Sequence, residues 1–483
     1  MHDDDPNAAR RPANGAPGWF GHVTALFTAL VVGFQLVRLA PAELMQADSR
    51  SYLSFSAVAT AGYPLFLRFV EHLPGGLLGL PWLQLGFYGV TAWLLASSFR
   101  RVSDSNFGGG LLLVLLLGNG QVTRLSFMIM TESLFLSCLM LLLALFCRLV
   151  QTPGWPALVL ASLVTGSAVL IRPAGYALLV SLPVVSWWSW RGALPLMQAV
   201  FAAMVPGLVV LGSGMVAYHA QHGLWRTQSF VGRNLFGKAG AVVDVTREGA
   251  DPKTIRWIAA TVAPDRAVID RAPTAFDRFR LLVPYYDVWR WRTLDEALPA
   301  RTGTPRDDPA ALDHAMFRLS LDVIASAPIA YLGDVALNYA ALWWLPDAMT
   351  HRQLANFRAF IASLGPLPDL IRYPAWHREH SDVEIWMLHS FMMAALASSF
   401  WWAWRLAATA ITRTPASSLA RLGFVTGVLV QASFLLTASL QAGIPRYVWA
   451  MWPAISILFV SGVLACSEGL RRARSTSPIQ RGG

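Results

Sequence analysis

The chain has 483 residues and a formal charge of +10, and it is 55% hydrophobic but only 14% charged. A soluble chain of this size carries about 25% charged residues, so this composition excludes an ordinary soluble enzyme and defines an all-α polytopic membrane protein. Its positive charge is almost wholly arginine, the lysines being Lys238 and Lys253. No basic stripe interleaved with aromatics stands in a soluble stretch, which argues against nucleic acid as a partner.

Residues 1–18 are polar and rich in proline, glycine and alanine, and read as a disordered cytoplasmic leader. An apolar run at 19–39 follows, longer than a signal h-region and trailed by Ala40-Pro41-Ala42, so it reads as an uncleaved first span. The outer loop 40–76 carries Glu43, Asp48, Arg50, Tyr52 and the turn Gly62-Tyr63-Pro64. Further spans are expected at 77–99, 108–119 and 131–148. Two more are divided at Arg172-Pro173-Ala174-Gly175, and a seventh covers 194–218.

Residues 219–326 are too polar to span and too long for a bare loop, and predict a small, mainly helical extracytoplasmic domain. An interfacial helix near 328–345 and an outer loop complete the segment 327–383. The last spans, at 384–406, 419–441 and 447–466, lead to a basic tail, 467–483. Arg100-Arg101, Arg148, Arg191, the loop with Arg405, Arg413 and Arg421, and the tail all fall on the cytoplasmic side only if 328–345 does not cross. The expectation is therefore about ten spans with both termini cytoplasmic.

That topology gathers the suspicious polar groups on one face. Ionisable side chains at membrane depth are costly to bury and read first as functional. Asp48 is the candidate general base, against a plain helix-capping role. Glu132, at the head of a span, either complements the helix dipole or works beside Asp48. Arg124, Arg172 and Arg446 sit at helix ends, where they either snorkel or bind a phosphate. Tyr52, Tyr63 and Tyr447 accompany them; in the outer domain Arg233 and Lys238, set about a glycine turn, read either as a further cationic pair or as a plain loop. His377, Glu379 and His380 have spacing compatible with zinc but no identifiable third ligand, so no metal or other cofactor is assigned. The cysteines Cys138, Cys147 and Cys466 lie in apolar segments and give no disulfide framework.

Five motifs in this order carry a resemblance: Asp48-Ser49-x-x-Tyr52, Gly62-Tyr63-Pro64, Thr131-Glu132-Ser133-Leu134, Leu170-Ile171-Arg172-Pro173-Ala174-Gly175 and Pro445-Arg446-Tyr447. The pattern resembles the GT-C superfamily of integral-membrane glycosyltransferases, especially bacterial relatives of the protein O-mannosyltransferases and the lipid A aminoarabinose transferase. The resemblance covers 19–190 and 386–466 well and the outer domain poorly. It implies a polyprenyl-phosphate-sugar donor, a lipid, glycan or protein acceptor, a site on the periplasmic face of the bacterial inner membrane, and Asp48 as base. Many relatives carry two adjacent acids where this chain has Asp48-Ser49, so a loop-bound metal is not implied. A transporter or lipid flippase is the alternative; it calls for inverted repeats and mid-membrane charges, and the sequence displays neither. A third reading, a non-catalytic partner in envelope assembly, leaves Asp48 replaceable.

Overall fold

A computed structural model describes residues 19–38, 44–46, 48–189, 193–243, 252–289, 298–299, 303–305, 308–346, 348–364, 378–441 and 444–475. The leader 1–18, Glu43, His377 and the end of the tail lie outside the described residues. Among the described residues the regular structure is helical apart from two three-residue strands, β1 (Ala348–Thr350) and β2 (Arg378–His380), paired in parallel.

In chain order the helices begin with α1 (Trp19–Arg38), short α2 (Ser49–Leu53), α3 (Gly62–Glu71), α4 (Leu80–Ser103) and α5 (Asn106–Leu117). Next come α6 (Gly120–Leu125), α7 (Thr131–Gln151), α8 (Trp155–Ile171), α9 (Tyr176–Leu179), α10 (Ser181–Ser189) and α11 (Ala193–His222). The outer region holds α12 (Val231–Val242), α13 (Pro252–Ile269), α14 (Ala275–Asp287), α15 (Pro309–Ser326), α16 (Pro328–Trp344) and α17 (His351–Ser363). The chain closes with α18 (Asp382–Ile411), α19 (Ser418–Leu440), α20 (Pro445–Ala450) and α21 (Trp452–Ser475).

Six of these helices are long and apolar enough to cross a membrane: α1, α7, the 195–222 part of α11, α18, α19 and the 452–469 part of α21. They make the chain an integral membrane protein in character. Counting the bent pair α15 and α16 as one span gives up to seven. The expected span at 108–119 forms only the 12-residue α5, about 18 Å of helix against a hydrocarbon core of roughly 30 Å. At its end Gly118 and the Asn119 cap, whose side chain accepts from Gln121 and Val122 N–H, break the helix and start α6.

The bundle core joins α4, α5, α7, α8, α18, α19 and α21 through residues such as Tyr88, Phe99, Phe135, Phe146, Val425 and Leu458. The outer region has a second core of its own, including Phe236, Ile258, Leu281, Trp289 and Met316. Met349, Leu354 and Phe357 belong to it as well, so the outer domain takes in part of the stretch expected to be loop. α16 is bent by 106° from α15. It packs along the second half of α19, where Tyr331 Oη donates to the Ser439 carbonyl at 2.7 Å and Tyr339 Oη donates to Gln431 Oε1.

Candidate functional site

The Asp48 loop is held by main-chain and hydroxyl bonds that reach two other helix ends. Ile129 N–H donates to the Leu44 carbonyl at 2.9 Å, and Ser49 Oγ donates to the Ile129 carbonyl at 2.9 Å, which seats the loop beside the start of α7. Thr60 Oγ1 donates to the Ile171 carbonyl at 3.1 Å, capping the end of α8. Gly62 fits against that same end so closely that a Cβ there would lie 2.7 Å from the Leu170 carbonyl. A third anchor comes from the end of α11 and the segment after it, where Tyr218 Oη and Ser229 N–H both donate to the Ala57 carbonyl, at 2.7 and 2.9 Å.

Prolines aim the two arginines. Pro173 drives Arg172 out of the helical region (φ −151°, ψ 131°), so α8 ends there. Pro445 occupies the first turn of α20, with Ile444 extended before it (ψ 152°), and this short helix presents Arg446.

These segments bring four charges together. Glu132, in the first turn of α7, has a fully buried side chain (0% exposed). Its Oε1 lies 2.6 Å from Arg172 Nη1 and 2.6 Å from Arg446 Nε. Both approaches are charge contacts, and the one to Arg446 is not aligned as a straight hydrogen bond. Arg172 also reaches Thr131 Oγ1 at 3.5 Å and lies over the Tyr447 ring, 5.3 Å from its centroid. Arg446 Nη1 donates to Asp48 Oδ2 at 2.9 Å. Asp48 is the N-cap of α2, yet its side chain makes no capping bond. Its carboxylate goes to Arg446 instead.

The two acids and two guanidiniums cancel in charge. They differ in access: Glu132 is sealed, whereas the Asp48 and Arg446 side chains are 45% and 35% exposed. That access is to a cavity of about 540 Å³, a size that suits a small-molecule or lipid head-group ligand. Asp48, Tyr52, Thr131, Arg172, Arg446 and Tyr447 all line it. Burial, with Glu132 and Asp48 nearby, pushes the Tyr52 hydroxyl up to about 12, so it remains a proton-bearing donor at neutral pH.

Other expected site residues are elsewhere. Tyr63 is buried against Gln84 (Oη to Oε1, 3.2 Å), and Gln84 in turn donates to the Ser126 and Met128 carbonyls. Tyr63 therefore braces the loop and meets Tyr52 edge-on, 5.3 Å between ring centroids, rather than lining the cavity. Arg124 is exposed on α6, outside the cavity wall. Arg233 is buried where α12 meets α15, its backbone N–H donating to Asp313 Oδ1 at 2.9 Å. Lys238 is sealed in the outer region, 2.7 Å from Asp334 Oδ2. Neither cation lines the cavity, Arg233 being 6% and Lys238 1% exposed. Burial pushes the Lys238 ammonium down while Asp334 opposes the shift.

Gln46, Gln228, Phe230, Asp287 and Gln441 also line the cavity, and the sequence did not mark them. Asp287 ends α14 among many Asp and Arg residues of the outer region, and nothing in its neighbours in the chain distinguishes it. Among the described residues no group of three or more His, Cys, Asp and Glu side chains is placed to hold a metal ion. The zinc-compatible spacing rests on His377, outside the described residues, and on the β2 residues Glu379 and His380. Compared with known proteins, the chain matches no family model, no curated protein and no solved structure.

Proposed function

We propose that the chain is a GT-C-like glycosyltransferase with about ten spans, including the shorter apolar helices, and that it takes a sugar from a polyprenyl-phosphate carrier. The acceptor is a lipid, glycan or protein group on the extracytoplasmic face of a bacterial inner membrane. The observation that carries the reading is the meeting of Asp48, Arg172 and Arg446 at one cavity at the ends of apolar helices, with the buried Glu132 beneath both arginines.

Such a cavity offers an acid and two cations where a lipid-borne phosphodiester can reach them. Asp48 takes the proton of an acceptor hydroxyl as that oxygen bonds to the anomeric carbon. The bond from that carbon to the phosphate oxygen breaks, its electron pair leaves with the phosphate, and the sugar is inverted. Arg446 and Arg172 stabilise the charge gathering on the leaving phosphate. Glu132 belongs here as a positioning residue. Sealed beneath both guanidiniums, it cannot reach a substrate, and it holds them side by side against their mutual repulsion. A flippase has less support, since these charges collect at helix ends.

Cells carrying Asp48→Asn in place of the wild-type chain should accumulate the sugar-bearing polyprenyl phosphate, read by mass spectrometry of extracted lipids. An unchanged lipid profile sinks the reading.

A further inference from the structure

Inverting displacement sets a spatial demand that the observed contact does not meet. The base and the phosphate-binding cation must stand on opposite sides of a sugar ring. Yet Asp48 Oδ2 and Arg446 Nη1 are 2.9 Å apart, with no room for anything between them. The two charge contacts on Arg446 are unequal. Its Nε faces the wholly buried Glu132, whereas its Nη1 faces a carboxylate that is 45% exposed at the cavity. Taking the guanidinium from Glu132 would leave a sealed charge with a single arginine, while taking it from Asp48 frees an acid that water and ligand can reach.

We propose that Asp48 is a built-in occupant of the phosphate seat: an entering phosphate group displaces it from Arg446 Nη1, and only then is its carboxylate free to act as base. This rests on the glycosyl-donor reading above and adds an order of events to it. The arginine stays fixed on Glu132 and the exchange happens at its exposed nitrogen. The acid that activates the acceptor is therefore idle until a donor phosphate has arrived, which protects the cavity from unproductive proton transfer while empty. The ligand chemistry is a phosphate mono- or diester, whether borne by a lipid or free.

The exchange predicts an effect opposite to that of an ordinary binding residue. Purified full-length protein in detergent is titrated with undecaprenyl phosphate, with neutral undecaprenol as reference and inorganic phosphate as a separate arm. Asp48→Asn removes the competitor, so undecaprenyl phosphate should bind about two- to five-fold tighter than to wild type, with undecaprenol unchanged. In an Arg446→Gln background the same change should give no gain, because the seat itself is gone. If Arg446→Gln does not fold, the single variant measured against undecaprenol still decides. Tightening for inorganic phosphate as well means that the phosphate group alone is read; tightening for the lipid only means that the tail must be seated too, and either supports the exchange. A wild-type preference for phosphate over undecaprenol that Asp48→Asn leaves unchanged or weakens overturns the exchange alone. If wild type shows no preference and Asp48→Asn creates none, the exchange and the donor reading both fall.

Discussion

Two ionic networks in this molecule use the same kinds of group to different ends. In the outer region Lys238, Asp334, Tyr286 and Asn338 are all buried. There Asp334 Oδ2 takes Lys238 at 2.7 Å, Oδ1 takes the Tyr286 hydroxyl at 2.6 Å, and Asn338 donates to Oδ2 at 3.2 Å. Every member is committed to another, and neither the ammonium nor the carboxylate can face a ligand. At the cavity, Asp48, Glu132, Arg172 and Arg446 are equally close-packed, but one pair is open to the cavity. A sealed network fixes how α12, α14 and α16 meet, whereas a network with one open pair can trade partners. Access, rather than charge or distance, separates the structural pair from the one offered for chemistry.

The contrast can be broken or sharpened by substitution. The largest effect is expected for Asp48→Asn: sugar transfer in reconstituted membranes should fall by about 10²–10⁴-fold, with the thermal midpoint in detergent close to wild type because a half-exposed pair contributes about 0–1 kcal/mol. The sealed network should behave in the opposite way. Lys238→Met leaves Asp334 buried without its cation and should cost about 3–5 kcal/mol of stability, seen as a large drop in thermal midpoint. The double change with Asp334→Leu should recover much of it; equal losses in both would mean that the pair is not a unit. Arg446→Gln should weaken undecaprenyl phosphate binding by about 10–100-fold, as expected for a lost charged hydrogen bond, and unchanged affinity removes Arg446 from the seat. Gly62→Ala forces a methyl onto the Leu170 carbonyl and should cost about 1–3 kcal/mol, read as a lower midpoint together with lower transfer as the loop is lifted. Arg124→Ala is the smallest, within about 0.5 kcal/mol and without effect on transfer; a clear loss of activity would return this exposed residue to the site.

Much of the site was legible because its residues sit at recognisable breaks. Asp48 follows the first apolar run, Arg172 and Arg446 each adjoin a proline, and Glu132 opens a span, so composition alone placed them at helix ends. Their order of contact was not legible. That Glu132 lies beneath both arginines depends on how α7, α8 and α20 pack, which no local spacing encodes. Tyr63 and Lys238 were misplaced for a related reason: a polar side chain looks the same in sequence whether it ends at water or at a buried partner such as Gln84 or Asp334. The ten expected spans were read from apolar runs; six of the described helices are long and apolar enough to cross a membrane, and α5, ended by Gly118 and Asn119, is not among them. Gln228 and Asp287 reach the cavity through the tertiary fold of the outer region, which no local spacing encodes.

The partners Asp48 and Arg446 stand 398 residues apart in the chain. At a synthesis rate of about 5–20 residues per second, the first leaves the ribosome about 20–80 s before the second. Once residue 172 has been made, Glu132 has only Arg172 to hold until Arg446 follows, and the acid of the opening loop faces a half-built hollow. The closing step belongs to the short helix ahead of the last span, so a polypeptide cut before Pro445 would leave Asp48 without its cation and Glu132 with a single arginine.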